Sequence, residues 1–250
     1  MVLLLTVVAV YAGGIKSAKD LAAFAKAVNK GADISAWRND KGVVCLECDI
    51  DMAKMKKWTS IKEFAGTFDG QGHALLNWKT KQGLFALVAE NGVVRNLRID
   101  SSCSMSVTKG ELISGFIVGV NKGTVQNCEN GGSIKYKGIY TEEHIYVGGL
   151  VGQNGYVVRD CRNTGAITAE AVILSANKKA SISLGGIVAS TVPKGNRTIT
   201  IFRCENSGAI TYKGDLPRVY MAGIVGYSGR AGIRFCVNRG NLTAATVAGN

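Results

Sequence analysis

Cys161-Arg162-Asn163-Thr164-Gly165-Ala166-Ile167 decides the fold, because the chain spells this pattern four times. Cys-x-Asn-x-Gly-x-(Ile/Leu) recurs at Cys128-Asn130-Gly132-Ile134, Cys204-Asn206-Gly208-Ile210 and Cys236-Asn238-Gly240-Leu242. Each copy follows a run of small and apolar residues, of which Gly148-Gly149-Leu150-Val151-Gly152 and Ala222-Gly223-Ile224-Val225-Gly226 are the clearest. The units begin at Gly83, Gly115, Gly148, Gly185 and Ala222, spaced 32, 33, 37 and 37 residues apart. A unit of this length cannot bury its apolar face alone and must stack on its neighbours, which makes the fold quasi-one-dimensional. At ordinary strand lengths each coil holds about three strands and three turns.

Stacking turns recurrent residues into columns. Three positions before the cysteine stand Val125, Val158, Ile201 and Ile233, an apolar and inward-facing set. The first coil has Leu97 in the cysteine place. A position that accepts leucine asks for a small or medium apolar group, and a free cysteine behaves as one. The column Cys128, Cys161, Cys204, Cys236 therefore reads as core packing, with no metal and no cofactor expected. The column Asn130, Asn163, Asn206, Asn238 falls near a turn. Asparagine there tolerates left-handed backbone and can bond its copy one coil on, since stacked strands lie about 4.8 Å apart. Glu129, Arg162 and Glu205 alternate in sign one residue after the cysteine, and Asp160 stands over Arg203 one residue before it. Such pairs are worth about 0.2–1 kcal/mol each and select register.

The remaining segments frame this array. Residues 1–14 are apolar and too short to span a bilayer. They read equally as the hydrophobic stretch of a secretion signal or as an edge strand. Residues 15–82 read as an N-terminal cap and 83–250 as the repeats. Within the cap, Ser17 and Asp20 make a capping-box-like start, and Leu21, Phe24, Ala25 and Val28 give a helical stripe that Gly31 stops. A stack exposes an edge and its apolar interior unless something covers them, and an amphipathic helix can do so. After Leu242-Thr243 no comparable cap is legible, so the C-terminal edge is expected to stack on further repeats or on a partner.

Gly149-Leu150-Val151-Gly152 and Gly223-Ile224-Val225-Gly226 resemble the core of GLUG-motif repeats. The stretch from Asp49 through Trp58-Thr59-Ser60-Ile61 to Phe68-Asp69-Gly70-Gln71-Gly72-His73 is similar to the entry segment of those proteins. The resemblance covers about residues 15–250. It implies a right-handed parallel β-helix on secreted or surface proteins of gut Bacteroidetes and other bacteria, adhesin-like in character. The expected fold is thus an all-β, right-handed parallel β-helix with an N-terminal capping helix, located outside the cell or at its surface.

The 250 residues carry a net charge of +12, which favours an anionic partner. No G-x-S-x-G elbow, Walker sequence, H-E-x-x-H or nucleic-acid-binding module is present, so nucleic acid is not the expected partner. Cys45 and Cys48 form a C-x-x-C, but inside a strand their side chains point to opposite faces. Glycoside hydrolysis would need a carboxylate pair, for which Asp49, Asp51 and Asp69 are the available candidates. Binding has better-placed residues. Ile134-Lys135-Tyr136-Lys137-Gly138 recurs as Ile210-Thr211-Tyr212-Lys213-Gly214, and with Tyr140, Tyr146 and Tyr220 this is expected to put aromatics and lysines near one another on one side. Tyr136, Lys137, Tyr140, Tyr212, Lys213 and Tyr220 are the candidate ligand contacts, since rings stack on sugar faces and lysines attract sulfate or carboxylate. Against this, Tyr136 and Tyr212 each stand two residues from an inward isoleucine and read equally as core. The expected function is a non-catalytic adhesion or ligand-binding module for an anionic glycan or surface. The alternatives are a polysaccharide lyase or hydrolase and a structural spacer.

Overall fold

The structure is a computed structural model, and it describes residues 13–108, 113–140, 144–173, 179–193 and 195–246. The reading of residues 1–14 as signal or strand lies, but for its last two residues, outside these. The chain forms an all-β parallel solenoid with one N-terminal helix, α1 (Ala18–Asn29). Among the described residues no helix is long and apolar enough to cross a membrane.

One coil shows the plan. Starting at Ile113 it runs through five short strands, which define five faces: Ile113–Gly115, Val118–Asn121, Thr124–Gln126, Glu129–Asn130 and Ser133–Tyr140. Each pairs in parallel with its equivalent one coil on, as in Val118↔Val151, Val125↔Val158, Asn130↔Asn163 and Ile134↔Ile167. The third and fourth faces each stack seven strands, beginning in the cap at Val44–Cys45 and Ile50–Asp51. The expected three strands per coil are thus five, because turn-forming columns break the coil more often than spacing alone suggests.

One of those columns immediately precedes the cysteines. Asn96, Asn127, Asp160, Arg203 and Phe235 all have φ between 49° and 55°. Left-handed backbone bends the coil between its third and fourth faces at every layer. The asparagines two residues after the cysteines have a different task from the left-handed one expected of them. They form a continuous amide ladder, buried at Asn130, Asn163 and Asn206 and exposed at Asn238: Asn130 Nδ2 donates to Asn163 Oδ1 (2.8 Å), Asn163 to Asn206 (2.7 Å) and Asn206 to Asn238 (2.7 Å). Each also donates to the glycine carbonyl two residues on, for example Gly165 O at 2.9 Å. A second ladder at the end of the second face joins Asn121 to Asn154 at 2.7 Å.

The interior between the faces is apolar and closely filled. Val125, Val158 and Ile201 are fully buried, as is Leu97 in the cysteine column. The cysteines are free thiols whose sulfurs point at strand carbonyls, as Cys161 Sγ does at Arg159 O (3.1 Å). The adjoining Cys161 thiol and burial push Cys204 up to about 12, and burial holds Cys161 well above the usual thiol range. These groups stay protonated and act as packing. Asp160 meets Arg203 at 2.6 Å, while Glu129 lies 3.9 Å from both Arg98 and Arg162.

At the N-terminal end α1 lies over the stack. Ser17 Oγ accepts from Asp20 N–H (3.1 Å), which caps the helix, while Asp20 accepts from Lys16 N–H (3.2 Å), one residue before the N–H that a full capping box would engage. Leu21, Phe24 and Ala25 are buried. Phe24 packs at centroid distances of 5.9 Å from both Trp37 and Phe64 and 6.1 Å from Phe68. Asn29 rivets the helix end to the entry segment, donating to Ser60 O (3.0 Å) and accepting from Lys62 N–H (2.7 Å).

Candidate functional site

The first and second faces meet at a sharp concave corner, and small residues make that corner possible. A Cβ on Gly152 would lie 2.8 Å from Ile113 Cγ2, and one on Gly115 would lie 2.5 Å from Leu150 O. Only glycine lets the two sheets approach so closely. The corner forms a groove along the stack. Its first wall carries Ile113, Tyr146, Ser183 and Tyr220, which are in register. Its second carries Val120, Gln153, Ser190 and Tyr227.

The downstream part of the groove holds a slot of about 260 Å³ between tyrosines. Tyr146 stands one coil before Ser183 and Tyr220 one coil after it. The serine layer is therefore a gap in a tyrosine ladder, as wide as the small side chain leaves it. Tyr220 and Tyr227 meet edge to face across the corner at 5.0 Å. The Tyr146 hydroxyl lies close to the Gln153 side chain across the same corner. Burial and the nearby Tyr227 push its phenol up, so Tyr146 is a protonated donor at neutral pH. Arg218, in register with Ser181 and His144, supplies an exposed positive charge at the slot. His144 Nδ1 lies 2.6 Å from Ser181 Oγ. Ser183 is only 2% exposed and forms the floor of the slot.

Upstream, the groove continues as a furrow of about 370 Å³ between the entry segment and the corner, lined by Thr59, Lys62, Gln82, Ser114 and Val120 among others. On the other side Val192, Pro193 and Arg197 of the insertion lie against the second face. Arg197 stacks on the Tyr156 ring (3.8 Å), lies 3.6 Å from Glu90 and donates to Lys122 O (3.2 Å). With Val192 and Pro193 it encloses a further cavity of about 240 Å³.

The structure separates the residues that sequence reasoning grouped. Tyr136 and Tyr212 are 1% and 3% exposed and belong to the core, because strand alternation turns them inward with Ile134 and Ile210. Tyr212 accepts from Leu216 N–H (3.0 Å), and burial pushes its phenol up. Neither can stack on a ligand at the outer surface, which corrects the expectation for both. Lys137 and Lys213 do face outward on the fifth face, Lys137 pairing with Glu170 at 3.3 Å. The side chain of Tyr140 lies outside the described residues. Tyr220 sits on the first face, in the slot. Sequence reasoning missed Tyr227, Arg218 and Ser183 as its neighbours. The signal was present: Tyr146, Ser183 and Tyr220 are separated by 37 and 37 residues, the coil period itself.

The candidate carboxylates are engaged in turns. Burial pushes the Asp69 carboxyl up, but bonds from Asn96 Nδ2 (2.8 Å), Gln71 N–H (2.8 Å) and Arg95 Nε (2.7 Å) outweigh it and hold it below the usual range. Asp51, fixed by Ala53 N–H and Asn77, is also lowered. Asp49 accepts from Ala74 N–H (2.8 Å) and faces His73 Nδ1 at 3.4 Å. A glycosidase acid needs its carboxyl raised, the opposite of what Asp51 and Asp69 show. Among the described residues no group of His, Cys, Asp and Glu is arranged to hold a metal ion.

Fold and groove together define a capped parallel β-solenoid with a concave, tyrosine-bearing face. Residues 143–168 match the family model of the GLUG motif, so the chain carries that motif over the strands that bear His144, Tyr146 and Gln153. Its fold is similar to the crystal structure of a Bacteroides ovatus protein provisionally described as an immunoglobulin A1 protease, with 17% identity and a TM-score of 0.58 over 93% of this chain and 84% of that one. At that identity the likeness concerns the fold. No curated protein matches the sequence.

Proposed function

We propose that the protein is a non-catalytic ligand-binding module for an acidic glycan, exposed outside the cell and serving adhesion. The observation that carries this is the slot over Ser183. Tyr146 and Tyr220 bracket a space one coil deep, Tyr227 closes it from the second face, and Arg218 offers a cation at its rim. A sugar ring presents an apolar face to a tyrosine and a hydroxyl to Gln153, while a carboxylate or sulfate on it pairs with the guanidinium. The net charge of +12 raises the local concentration of a polyanion and speeds its capture. The GLUG motif supports an extracellular setting, since proteins built on it are typically extracellular. A pure spacer would have no use for the slot.

The test is size-exclusion chromatography of acidic polysaccharides incubated with the protein at low salt. One glycan moving to larger apparent size, reversed by salt and abolished in Tyr220→Ala and Arg218→Gln, is the expected result. A glycan moving to smaller size would replace this reading with the lyase or hydrolase one. No movement of any glycan would leave the spacer reading.

A further inference from the structure

We infer that the cap is also part of the binding surface. The cavity between α1 and the entry segment is a second anion subsite for the same acidic glycan chain, which then lies along the solenoid axis. This inference rests on the reading of the slot given above.

The cavity has a volume of about 420 Å³ and is bounded by Lys26, Lys30, Lys57, Lys62 and the ring of Trp58, with no carboxylate in its lining. None of the four lysines forms an ion pair among the described residues, and all four are exposed. Elsewhere it is the arginines that are commonly matched, as Arg203 is by Asp160 and Arg239 by Glu205 (3.1 Å). The walls are fixed. Asn29 holds Ser60 and Lys62 with two bonds, and Trp58 Nε1 donates to Gly83 O at 3.1 Å. One feature opposes anion binding: the C-terminal end of α1 contributes about half a negative charge near Lys26 and Lys30. Four whole positive charges outweigh it, and Lys57 and Lys62 come from another segment.

The cavity is continuous with the groove. Thr59 and Lys62 line both it and the furrow, whose far end is Ile113 and Val120. Those two residues stand in the columns of Tyr146 and Gln153. From the layer of Ile61 through Phe85, Val118 and Val151 to Val188 are four strand spacings, or about 19 Å. An oligosaccharide shorter than that span reaches only one subsite.

The experiment measures binding of a length series of heparin fragments and of polygalacturonate fragments to the full chain over a range of salt. The variants are Lys57→Gln with Lys62→Gln, Tyr220→Ala, and a control, Lys79→Gln with Lys135→Gln, on the exposed fifth face. Thermal melting checks that each variant is folded. The expected result is that neutralising Lys57 and Lys62 weakens long fragments roughly tenfold at low salt and lowers the salt slope by about two. Disaccharides should not respond to it, while Tyr220→Ala should weaken both lengths. A loss confined to heparin would assign the cavity to sulfate, and a loss with both polymers to either anion. If the lysine pair matters no more than the control pair, the cavity is not a subsite and the slot reading stands. If the wild-type protein binds neither polymer, both inferences fall together.

Discussion

The two ends of the stack are built from the same repeating interior but treated differently. At the N-terminal end, Phe68, which stacks over Val94, packs against Phe24 of α1, and Leu21 and Phe24 are themselves fully buried. Rings fill the space in a connected series from Trp37 through Phe24, Phe64 and Phe85. At the other end, the last described coil leaves Ile233 at 42%, Val237 at 43% and Phe235 at 77% exposed. Ile233 occupies the column in which Val125, Val158 and Ile201 are fully buried. Identical column chemistry is therefore worth different amounts by position. A residue contributes in proportion to the layers on both sides of it, as expected where each repeat touches only its neighbours.

Substitutions at matched positions can break that comparison. The largest expected effect is from Phe24→Ala, which opens a cavity under the cap and should cost about 3–5 kcal/mol in chemical denaturation. Ile233→Ala, also a large-to-small change, should cost less than about 1 kcal/mol because its side chain is already half in water. Equal losses would mean that something covers the C-terminal coil in solution. Next in size is the amide ladder. Asn163→Ala strands donors and acceptors in the coils before and after it, at about 1–3 kcal/mol. Asn238→Ala has a partner on one side and should show a fraction of that loss in the same assay.

Smaller again is a pH effect confined to the N-terminal end. The Asp69 carboxyl is held below its unfolded value, so its contribution to stability is fully present above about pH 4 and is lost as pH falls through its folded value. Asp69→Asn should flatten the acid limb of the stability profile. An unchanged limb would place the acid-sensitive group elsewhere. The smallest effect sharpens the C-terminal side. Phe235 holds φ at 53°, where a bulky residue is strained and its counterparts Asn96 and Asn127 are not. Phe235→Asn should raise the melting temperature, by about 1 kcal/mol in free energy.

Much of this architecture was legible in the repeats. Cysteine, valine and asparagine columns and the Asp160–Arg203 pair follow from residues that recur at one period, and the Ser17–Asp20 cap from local spacing. The left-handed column was not legible, because Asn, Asp, Arg and Phe share no side-chain chemistry and have only a backbone conformation in common. The site was half legible. Tyr136 and Tyr212 attracted attention because a lysine flanks each of them, yet the parity of the fifth-face strand sends the tyrosines inward and the lysines out. Tyr220 and Tyr227 meet only because a glycine corner folds two faces together. A corner's angle is a property of close backbone approach, which no single column records.

The amide ladders have a direction as well as a strength. In both rows the Nδ2 of an earlier coil donates to the Oδ1 of the next, from Asn121 to Asn154 and from Asn130 through Asn163 and Asn206 to Asn238. Every side-chain dipole in them points the same way, as peptide dipoles do in a helix, and the surrounding core screens them weakly. The solenoid is thus electrically polarised along its length, like a small bar electret whose positive pole lies toward Asn238. Its two ends would differ to an approaching charge even if they were shaped alike.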